Sequence, residues 1–116
     1  MKSIEIPGRP VPKARPRVVR GHTYTPSRSK EFEENIAWYV RAEGVHLGDA
    51  PVHCKIELWS IRKLTGDLDN YAKAVLDGLQ KGQAFDNDRQ VVGLEVLSVI
   101  GLEDKTVVQL IPLSRD

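Results

Sequence analysis

The fold is decided by residues 51–80, which read PVHCKIELWSIRKLTGDLDNYAKAVLDGLQ. In the first half, every second residue between positions 52 and 58 is apolar, which predicts a strand with one buried face over residues 51–62. In the second half, apolar residues recur at helical spacing and predict a helix over residues 68–80 that Gly82 ends. The predicted buried stripe of this helix comprises Leu68, Ala72, Val75, Leu76 and Leu79.

The same rules predict further elements on both sides of this stretch. They are a strand (residues 3–6), a hairpin (18–24), a helix (25–44) and a final hairpin of two strands (91–100 and 106–113). Thr25 suits the N-cap of the first helix and Pro26 its first position. Together these elements predict one domain, residues 1–116, of the α/β (α+β) class, with a mixed β-sheet and two main helices packed against it.

The composition is that of an ordinary globular domain. The chain has 116 residues, of which 41% are hydrophobic and 28% charged, a balance unlike that of disordered chains. The net charge of +1 argues against a protein that coats nucleic acid indiscriminately. Cys54 is the only cysteine, so no intramolecular disulfide can form. Nothing in the sequence resembles a signal peptide or a membrane span, and we expect a cytoplasmic protein.

The basic residues are concentrated near the N-terminus. Residues 9–30 contain no acid and seven basic residues, namely Arg9, Lys13, Arg15, Arg17, Arg20, Arg28 and Lys30. Such a segment can be a solvated loop between prolines, or it can contact the phosphates of DNA and make the affinity depend on salt.

Two aspartates, Asp67 and Asp69, are two residues apart at the predicted junction of a loop and a helix. Extended residues at this spacing point the same way, and Leu68 between them can turn into the core. Converging carboxylates repel one another unless a cation lies between them, and Mg²⁺ prefers such hard oxygen ligands. Asp88, just before a predicted strand, is expected to join them across the sheet edge, and Lys73 lies one helical turn after Asp69.

Plain structural explanations exist for the same residues. An aspartate before a helix is an ordinary N-cap, Asp69 and Lys73 have the spacing of a helix-surface ion pair, and residues 86–88 can form a simple turn. The spacing alone favours these explanations. The combination with Lys73, Asp88 and the basic segment favours a Mg²⁺ site that faces DNA.

Four groups of residues match a known family. They are residues 8–17 (GRPVPKARPR), residues 24–26 (YTP), residues 66–70 (GDLDN) with Lys73, and residues 88–91 (DRQV). With these markers spread over nearly the whole chain, the sequence resembles the RusA family of Holliday junction resolvases, small endonucleases of bacteria and phages. The resemblance implies a homodimer that binds four-way DNA junctions and cuts paired strands symmetrically, with Mg²⁺ or Mn²⁺ as cofactor.

The resemblance also assigns roles to individual residues. The family's three catalytic, metal-binding aspartates fall on Asp67, Asp69 and Asp88, and its important lysine falls on Lys73. Many relatives carry aspartate where this chain has Asn87, which bears on the fine metal geometry more than on activity. The predicted DNA-binding residues are Lys13, Arg15, Arg17, Arg20, Asn70 and Lys73.

We therefore expect a Mg²⁺-dependent, structure-selective DNA endonuclease that resolves four-way junctions as a homodimer in DNA recombination or repair. Two alternatives stay open: a catalytically weak module that binds DNA junctions, and a metal-dependent nuclease that acts on other branched DNA or on RNA. The retained aspartates speak against the first alternative. A competition assay among junction, flap, duplex and RNA substrates distinguishes the second alternative from junction resolution.

Overall fold

The computed structural model describes residues 1–14, 17–19, 22–24 and 27–113; for 17–19 and 22–24 it describes the backbone only. The elements in chain order are β1 (Lys2–Pro7), β2 (Arg17–Val19), β3 (His22–Tyr24), α1 (Ser27–Ala42), β4 (Val52–Ser60), α2 (Leu68–Lys81), a 3-10 turn (Asp88–Gln90), β5 (Val91–Ile100) and β6 (Lys105–Pro112). Each predicted strand and helix is therefore present. Thr25 and Pro26, the predicted start of α1, lie outside the described residues.

The sheet confirms the predicted fold class. Four strands are ordered β1-β6-β4-β5, with β4 and β5 parallel and the other neighbours antiparallel, while β2 and β3 form a separate antiparallel hairpin. The segment from β4 through α2 to β5 is a parallel crossover, in which a helix connects two neighbouring parallel strands. No helix in the described part of the chain is long and apolar enough to span a membrane.

The inward side chains of the sheet share one core with a stripe of each helix. The alternation predicted for β4 is confirmed, since every second side chain from Val52 to Ser60 is buried. The buried apolar residues of the sheet are Ile4, Ile6, Val52, Cys54, Ile56, Leu58, Val108 and Leu110, and those of the helices are Phe32, Ile36, Ala37, Val40, Tyr71, Ala72, Ala74, Val75 and Leu79. Burial of each large apolar side chain in this core stabilises the folded state by about 1.5–3 kcal/mol relative to leaving that side chain exposed.

The prediction that β5 and β6 form a hairpin is wrong. β5 pairs with β4, and β6 lies on the other side of β4, between β4 and β1. Burial explains this order, because β6 has an alternating inward face of Thr106, Val108 and Leu110, whereas no residue of β5 is fully buried. The strand with the apolar face occupies the sheet interior, and β5 becomes the edge.

Gly101 allows the chain to cross from β5 to β6 over the end of β4. Its amide donates to the carbonyl of Ser60 at 3.0 Å, at the last residue of β4. A β-carbon at this position would lie 2.7 Å from the ring of Trp59. Only glycine lets the backbone pass this close to the aromatic side chain, so this residue makes the crossover possible.

The prediction that Leu68 turns into the core is also wrong. Its side chain is 42% exposed, whereas Ala72, Val75 and Leu79 of the same predicted stripe are buried. Leu68 is the first residue of α2, and the space between this end of the helix and β5 is left open. It borders an open hollow between α2 and β5 together with Leu94.

Candidate metal and DNA-binding site

The N-terminal end of α2 carries two of the predicted metal-binding aspartates. Asp67 precedes the helix with an extended backbone (φ −74°, ψ 141°), and its carbonyl accepts from the amides of Asn70 and Tyr71 at 3.1 and 3.3 Å. Its carboxylate makes no capping hydrogen bond. The helix therefore starts without using this acid, and the N-cap explanation does not account for the side chain of Asp67.

Lys73 pairs with the acid that follows it on the helix. Its ammonium lies 3.3 Å from Oδ1 of Asp77, one turn toward the C-terminus. Within the described residues, the alternative ion pair with Asp69 is not formed, and Asp69 is exposed in the first turn of α2. A helix-surface ion pair thus explains Lys73 and Asp77 but leaves Asp69 unexplained.

Asp69 and Lys73 nevertheless border the same cavity. It has a volume of about 350 Å³ and is lined by Leu68, Asp69, Ala72, Lys73, Leu76, Leu94 and Val96. Its walls are mostly apolar and come from α2 and β5. Two predicted catalytic residues therefore lie beside an apolar surface of the edge strand.

The third aspartate, Asp88, is held by a capped turn. Oδ1 of Asn87 accepts from the amide of Arg89 at 2.9 Å, and the amide of Asn87 donates to Oε1 of Gln90 at 2.7 Å. Gln90 also donates to two carbonyls of the loop before β4, at 2.7 and 2.9 Å. Because asparagine caps as well as aspartate does, the turn accommodates the departure from the family pattern at Asn87.

Asp88 lies at the opposite end of α2 from Asp67 and Asp69. Its amide donates to Oε1 of Gln80 at 3.1 Å. Gln80 follows Asp69 by three helical turns, about 16 Å along the axis at about 1.5 Å per residue. The topology agrees, because α2 starts after the carboxyl end of β4 whereas Asp88 precedes the amino end of the parallel strand β5.

One copy of the chain therefore does not bring the three aspartates together. In the part of the chain that the structure describes, no three His, Cys, Asp or Glu side chains are grouped so that they could hold one metal ion. The expectation that Asp88 joins the other two across the sheet edge requires that its strand begin near the start of α2. The parallel crossover places that strand's first residue at the far end instead.

The C-terminal half of α2 holds a network of paired charges. Nζ of Lys13 lies 2.8 Å from Oε2 of Glu33 and 3.0 Å from Oδ2 of Asp77, so one ammonium joins α1 to α2. The hydroxyl of Ser29 donates to the same Glu33 oxygen at 3.3 Å and accepts from the amide of Ala14 at 3.2 Å. The N-terminal segment is attached to both helices by these contacts.

The two carboxylates neutralise Lys13 inside the protein. Partial burial lowers the pKa of this lysine, but the hydrogen bonds and charges of Glu33 and Asp77 outweigh that effect and raise the pKa above its ordinary value. The ammonium is therefore charged at neutral pH and already compensated. An open cavity of about 450 Å³ adjoins it, lined by Lys13, Glu33, Asp77, Gln80, Lys81 and Asp88.

Sequence reasoning missed Glu33, Asp77 and Ser29. A signal for Glu33 and Ser29 existed, because both lie in register with the apolar stripe of α1, and both are buried. A carboxylate on the core side of a helix requires a cationic or hydrogen-bonding partner. Nothing in the sequence identified Lys13 as that partner, since the two residues are twenty positions apart.

The basic segment divides into described and undescribed parts. Arg15 and Arg20 lie outside the described residues, and Arg17 is described only as backbone in β2. Arg28 and Lys30 are exposed on the first turns of α1. The predicted role of Arg15, Arg17 and Arg20 in DNA binding, like that of Asn70 at the start of α2, stays a prediction.

Cys54 is buried on the inward face that the alternating pattern predicts for β4. Burial raises the pKa of its thiol to about 12. The thiol is therefore protonated at neutral pH and unsuited to act as a nucleophile.

The chemistry of the N-terminal end of α2 suits a divalent cation. Mg²⁺ commonly binds one or two carboxylates and keeps several waters. Asp67 and Asp69 offer two carboxylates that neither capping nor the Lys73 ion pair uses. The donor set in one copy therefore fits a Mg²⁺ ion that takes its remaining ligands from water, substrate or a further carboxylate.

Known proteins resemble this chain over most of its length. The model of the family "Endodeoxyribonuclease RusA" matches residues 7–111. The crossover junction endodeoxyribonuclease RusA of Escherichia coli (strain K12) is 31% identical over 98 residues, which cover 84% of this chain and 82% of the relative. The protein of that name from Enterobacteria phage 82 is 31% identical over 81 residues (69% and 68%), and that from Shigella sonnei (strain Ss046) is 30% identical over 98 residues (84% and 82%).

The match includes every element from β2 to β5 and all of β6 except Pro112, but only the last residue of β1. It also includes Asp67, Asp69, Lys73 and Asp88. The chain therefore belongs to the RusA family of endodeoxyribonucleases and is an enzyme of the nuclease class.

Proposed function

We propose that this enzyme is a Mg²⁺-dependent endonuclease that resolves four-way DNA junctions by symmetric cleavage of paired strands, with Mn²⁺ able to replace Mg²⁺. The observation that carries the proposal is the pair Asp67 and Asp69 at the start of α2, whose carboxylates serve neither as helix cap nor as partner of Lys73. The relatives named crossover junction endodeoxyribonuclease support the substrate class.

In this proposal Asp67 and Asp69 bind the cation, and Asp88 completes its carboxylate ligands. When bound, Mg²⁺ activates a water and neutralises charge on the scissile phosphate. Lys73, on the same cavity as Asp69, contacts the phosphate or stabilises charge that develops during cleavage. Asn70, at the start of the helix, hydrogen-bonds the DNA next to the cut.

A homodimer follows from the separation of the aspartates. The edge strand β5 presents four exposed apolar residues, Val92, Leu94, Leu97 and Ile100, and in the described part of the chain it pairs only with β4. A long apolar edge strand is a template for pairing with another chain. Antiparallel pairing of two β5 strands about a twofold axis sets the amino end of one opposite the carboxyl end of the other.

Such a dimer joins the two halves of the metal site. The amino end of β5 follows Asp88, and the carboxyl end lies on the side of the sheet where α2 starts. Asp88 of the second copy then approaches Asp67 and Asp69 of the first, and the twofold axis generates two equal sites. Two sites match the two equivalent strands that a four-way junction offers.

The remaining DNA contacts are proposed to come from the basic segment. Arg15, Arg17 and Arg20, with the exposed Arg28 and Lys30, would contact backbone phosphates and make the affinity depend on salt. Lys13 differs from them, because its ammonium is already paired with two carboxylates.

The proposal is tested by cleavage of a synthetic four-way junction with and without Mg²⁺, using wild type and Asp69→Asn in parallel. We expect the substitution to reduce the single-turnover rate by more than about 100-fold, while junction binding survives. The reason is that loss of a residue that only hydrogen-bonds a metal ligand already lowers metal affinity or activity by about 10- to 100-fold. Cleavage by Asp69→Asn at the wild-type rate contradicts the role of Asp69.

Other substrates are assayed in the same experiment. Flapped DNA, linear duplex and RNA of matched length compete with the junction for cleavage. Preference for any of them over the junction contradicts junction resolution while leaving the metal chemistry in place. Binding of the junction without cleavage in either Mg²⁺ or Mn²⁺ contradicts the nuclease assignment itself.

A further inference from the structure

Residues 8–14, which we call the strap, run beside the loop that leads into α2. At its first residue, the amide of Gly8 donates to the carbonyl of Asp104 at 3.1 Å. The guanidinium of Arg9 donates to the carbonyls of Arg62 and Lys63 at 3.4 and 3.3 Å. These two carbonyls belong to the loop between β4 and α2, residues 61–67, which ends in Asp67.

The strap also contacts the chain on the other side of the two aspartates. The amide of Lys13 donates to the carbonyl of Asn70 at 2.9 Å. A β-carbon on Gly66 would lie 3.6 Å from Cβ of Pro12, so the strap passes the loop at van der Waals distance. The contacts of the strap therefore bracket the segment from Gly66 to Asn70.

The side chain of Lys13 anchors the end of the strap. Its ammonium is held by Glu33 of α1 and Asp77 of α2, and the next residue, Ala14, is held by Ser29. Two carboxylates hold the ammonium of Lys13, at 2.8 and 3.0 Å, and its side chain is 29% exposed. Lys73 differs, because it pairs with one carboxylate at 3.3 Å and its side chain is 59% exposed. A cation that already has two carboxylate partners adds little to the positive potential that attracts DNA.

We propose that Arg9 and Lys13 are positioning residues, which hold the strap against the start of α2 and thereby fix Asp67 and Asp69 for metal binding. Lys13 acts through Asn70, Glu33 and Asp77 and makes no phosphate contact. This inference rests on the proposed metal-dependent cleavage, because it assigns the strap a role at that site.

The physical reason is preorganisation. Two like charges at the start of a helix repel each other, and a loop that is free to move separates them when no cation is bound. A loop tied at Arg62, Lys63 and Asn70 cannot relax in this way. Displacement of a reacting group by about 1 Å from a remote change lowers rates by up to about 100-fold.

The test compares Lys13→Met with wild type in three measurements. We expect the single-turnover cleavage rate to fall about 10- to 100-fold and the Mg²⁺ concentration for half-maximal rate to rise. We expect the salt dependence of junction binding to stay unchanged, whereas loss of a phosphate contact reduces its slope by about 1. Lys13→Arg should recover most of the rate, because a guanidinium can still donate to Glu33 and Asp77.

A matched control is Lys105→Met. Lys105 is also held between two carboxylates, Glu103 at 2.9 Å and Glu5 at 3.0 Å, but its side chain lies on the sheet face away from the helices. We expect this variant to cleave like wild type. An equal loss of rate in both variants shows a general effect on stability and overturns the positioning role.

Arg9→Gln covers the case in which Lys13→Met fails to fold. Arg9 is not part of the buried core and its two hydrogen bonds are solvent-exposed, so its removal leaves the core intact. The same signature of slower cleavage at unchanged salt slope is expected. A reduced salt slope with an unchanged single-turnover rate, in either variant, assigns that residue to phosphate binding and overturns the proposal.

Amide hydrogen exchange separates this inference from the proposed function. Released strap contacts should speed exchange at residues 61–70 in Lys13→Met and Arg9→Gln, and this readout needs no DNA or metal. If wild type cleaves no junction, the proposed function fails, and exchange still reports on the strap. Unchanged exchange with unchanged cleavage in both variants shows that the strap does not hold the loop.

Discussion

Acidic residues lie at both ends of α2, but their carboxylates differ in whether a described basic residue pairs with them. At the N-terminal end, Asp67 and Asp69 are exposed and serve neither as cap nor as ion-pair partner of Lys73. At the C-terminal end, Asp77 bridges Lys13 and Lys73, and Glu33 joins the same cluster. The helix thus has one end where carboxylates are neutralised by the protein and one end where they are available to a cation from outside.

This difference separates a structural charge from a candidate functional one. A carboxylate with its cation in place stabilises the fold, and its removal leaves the partner unpaired. A carboxylate pair without a cation costs some stability, which is expected where a site binds a metal. Asp88 lies near the C-terminal end of α2 and borders the same cavity as Lys13 and Asp77. Only its backbone amide makes a described contact there, to Gln80, and its carboxylate makes none.

The largest expected effect comes from mixing two inactive variants, Asp69→Asn and Asp88→Asn. If each site takes Asp67 and Asp69 from one copy and Asp88 from the other, a mixed dimer has one site with both substitutions and one intact site. We expect each variant alone to lose more than about 100-fold in rate and the mixture to regain nicking of one strand. Cleavage is measured on a junction labelled in each strand.

The mixture also reports the opposite arrangement. If all three aspartates of a site come from one copy, every site in the mixed dimer lacks one ligand, and mixing restores nothing. That outcome contradicts the joining of the two helix ends across the dimer. A mixture of Asp69→Asn with Asp67→Asn is the matched control and should stay inactive, because both changes lie at the same end.

The second effect concerns the strand that brings the two ends together. Leu94→Arg places a charge in the middle of the exposed apolar edge of β5 and should weaken the dimer by about 2 kcal/mol or more. Sedimentation equilibrium measures the change, and far-UV circular dichroism checks that the fold is kept. Leu102→Arg, at a residue 99% exposed in the turn after β5, is the control and should leave the dimer intact.

A smaller effect sharpens the comparison within one helix. Asp77→Asn should lower the free energy of unfolding by about 1–2 kcal/mol, because Lys13 and Lys73 both lose a partner. Asp69→Asn should change it by less than about 0.5 kcal/mol, since the carboxylate of Asp69 forms no ion pair with any described residue. Urea denaturation measures the free energy of unfolding of both variants. Equal losses would show that the carboxylates at the two ends of α2 do not differ in their contribution to stability.

The smallest effect is a dependence on high pH at the paired end. Glu33 and Asp77 raise the pKa of Lys13 in the folded state, so its contribution is fully present below the ordinary value of 10.5 and is lost as pH rises through the folded pKa. The difference in unfolding free energy between wild type and Lys13→Met should be constant from about pH 6 to 10 and shrink above that. A difference that stays constant as pH rises well above 10 argues against this origin.

Local sequence patterns were sufficient to predict the strands and helices and the two aspartates at the N-terminal end of α2. Alternation predicted β4, helical spacing predicted α2, and the position of Asp67 and Asp69 at its start followed directly. These predictions succeed because strand and helix periods depend on residues within a few positions of each other.

The paired end required the folded chain. Glu33 and Lys13 are twenty residues apart, and their contact exists because the folded chain brings the strap against α1 and α2. The sequence also predicts the wrong neighbour for β5, because a hairpin of β5 and β6 would place strands adjacent in sequence next to each other in the sheet. Burial of the inward face of β6 outweighed that preference.

The sequence by itself determined the two helices, the alternating strands, the family and the acids at the start of α2, because each rests on local periodicity or on a short motif. Tertiary structure decided which charges are already neutralised and at which end of α2 Asp88 lies. The reason is that ion pairing and strand order depend on distances between segments far apart in the chain. In this protein, those distances show that Lys13 is already paired with two carboxylates, whereas Asp67 and Asp69 are the residues proposed to bind the metal.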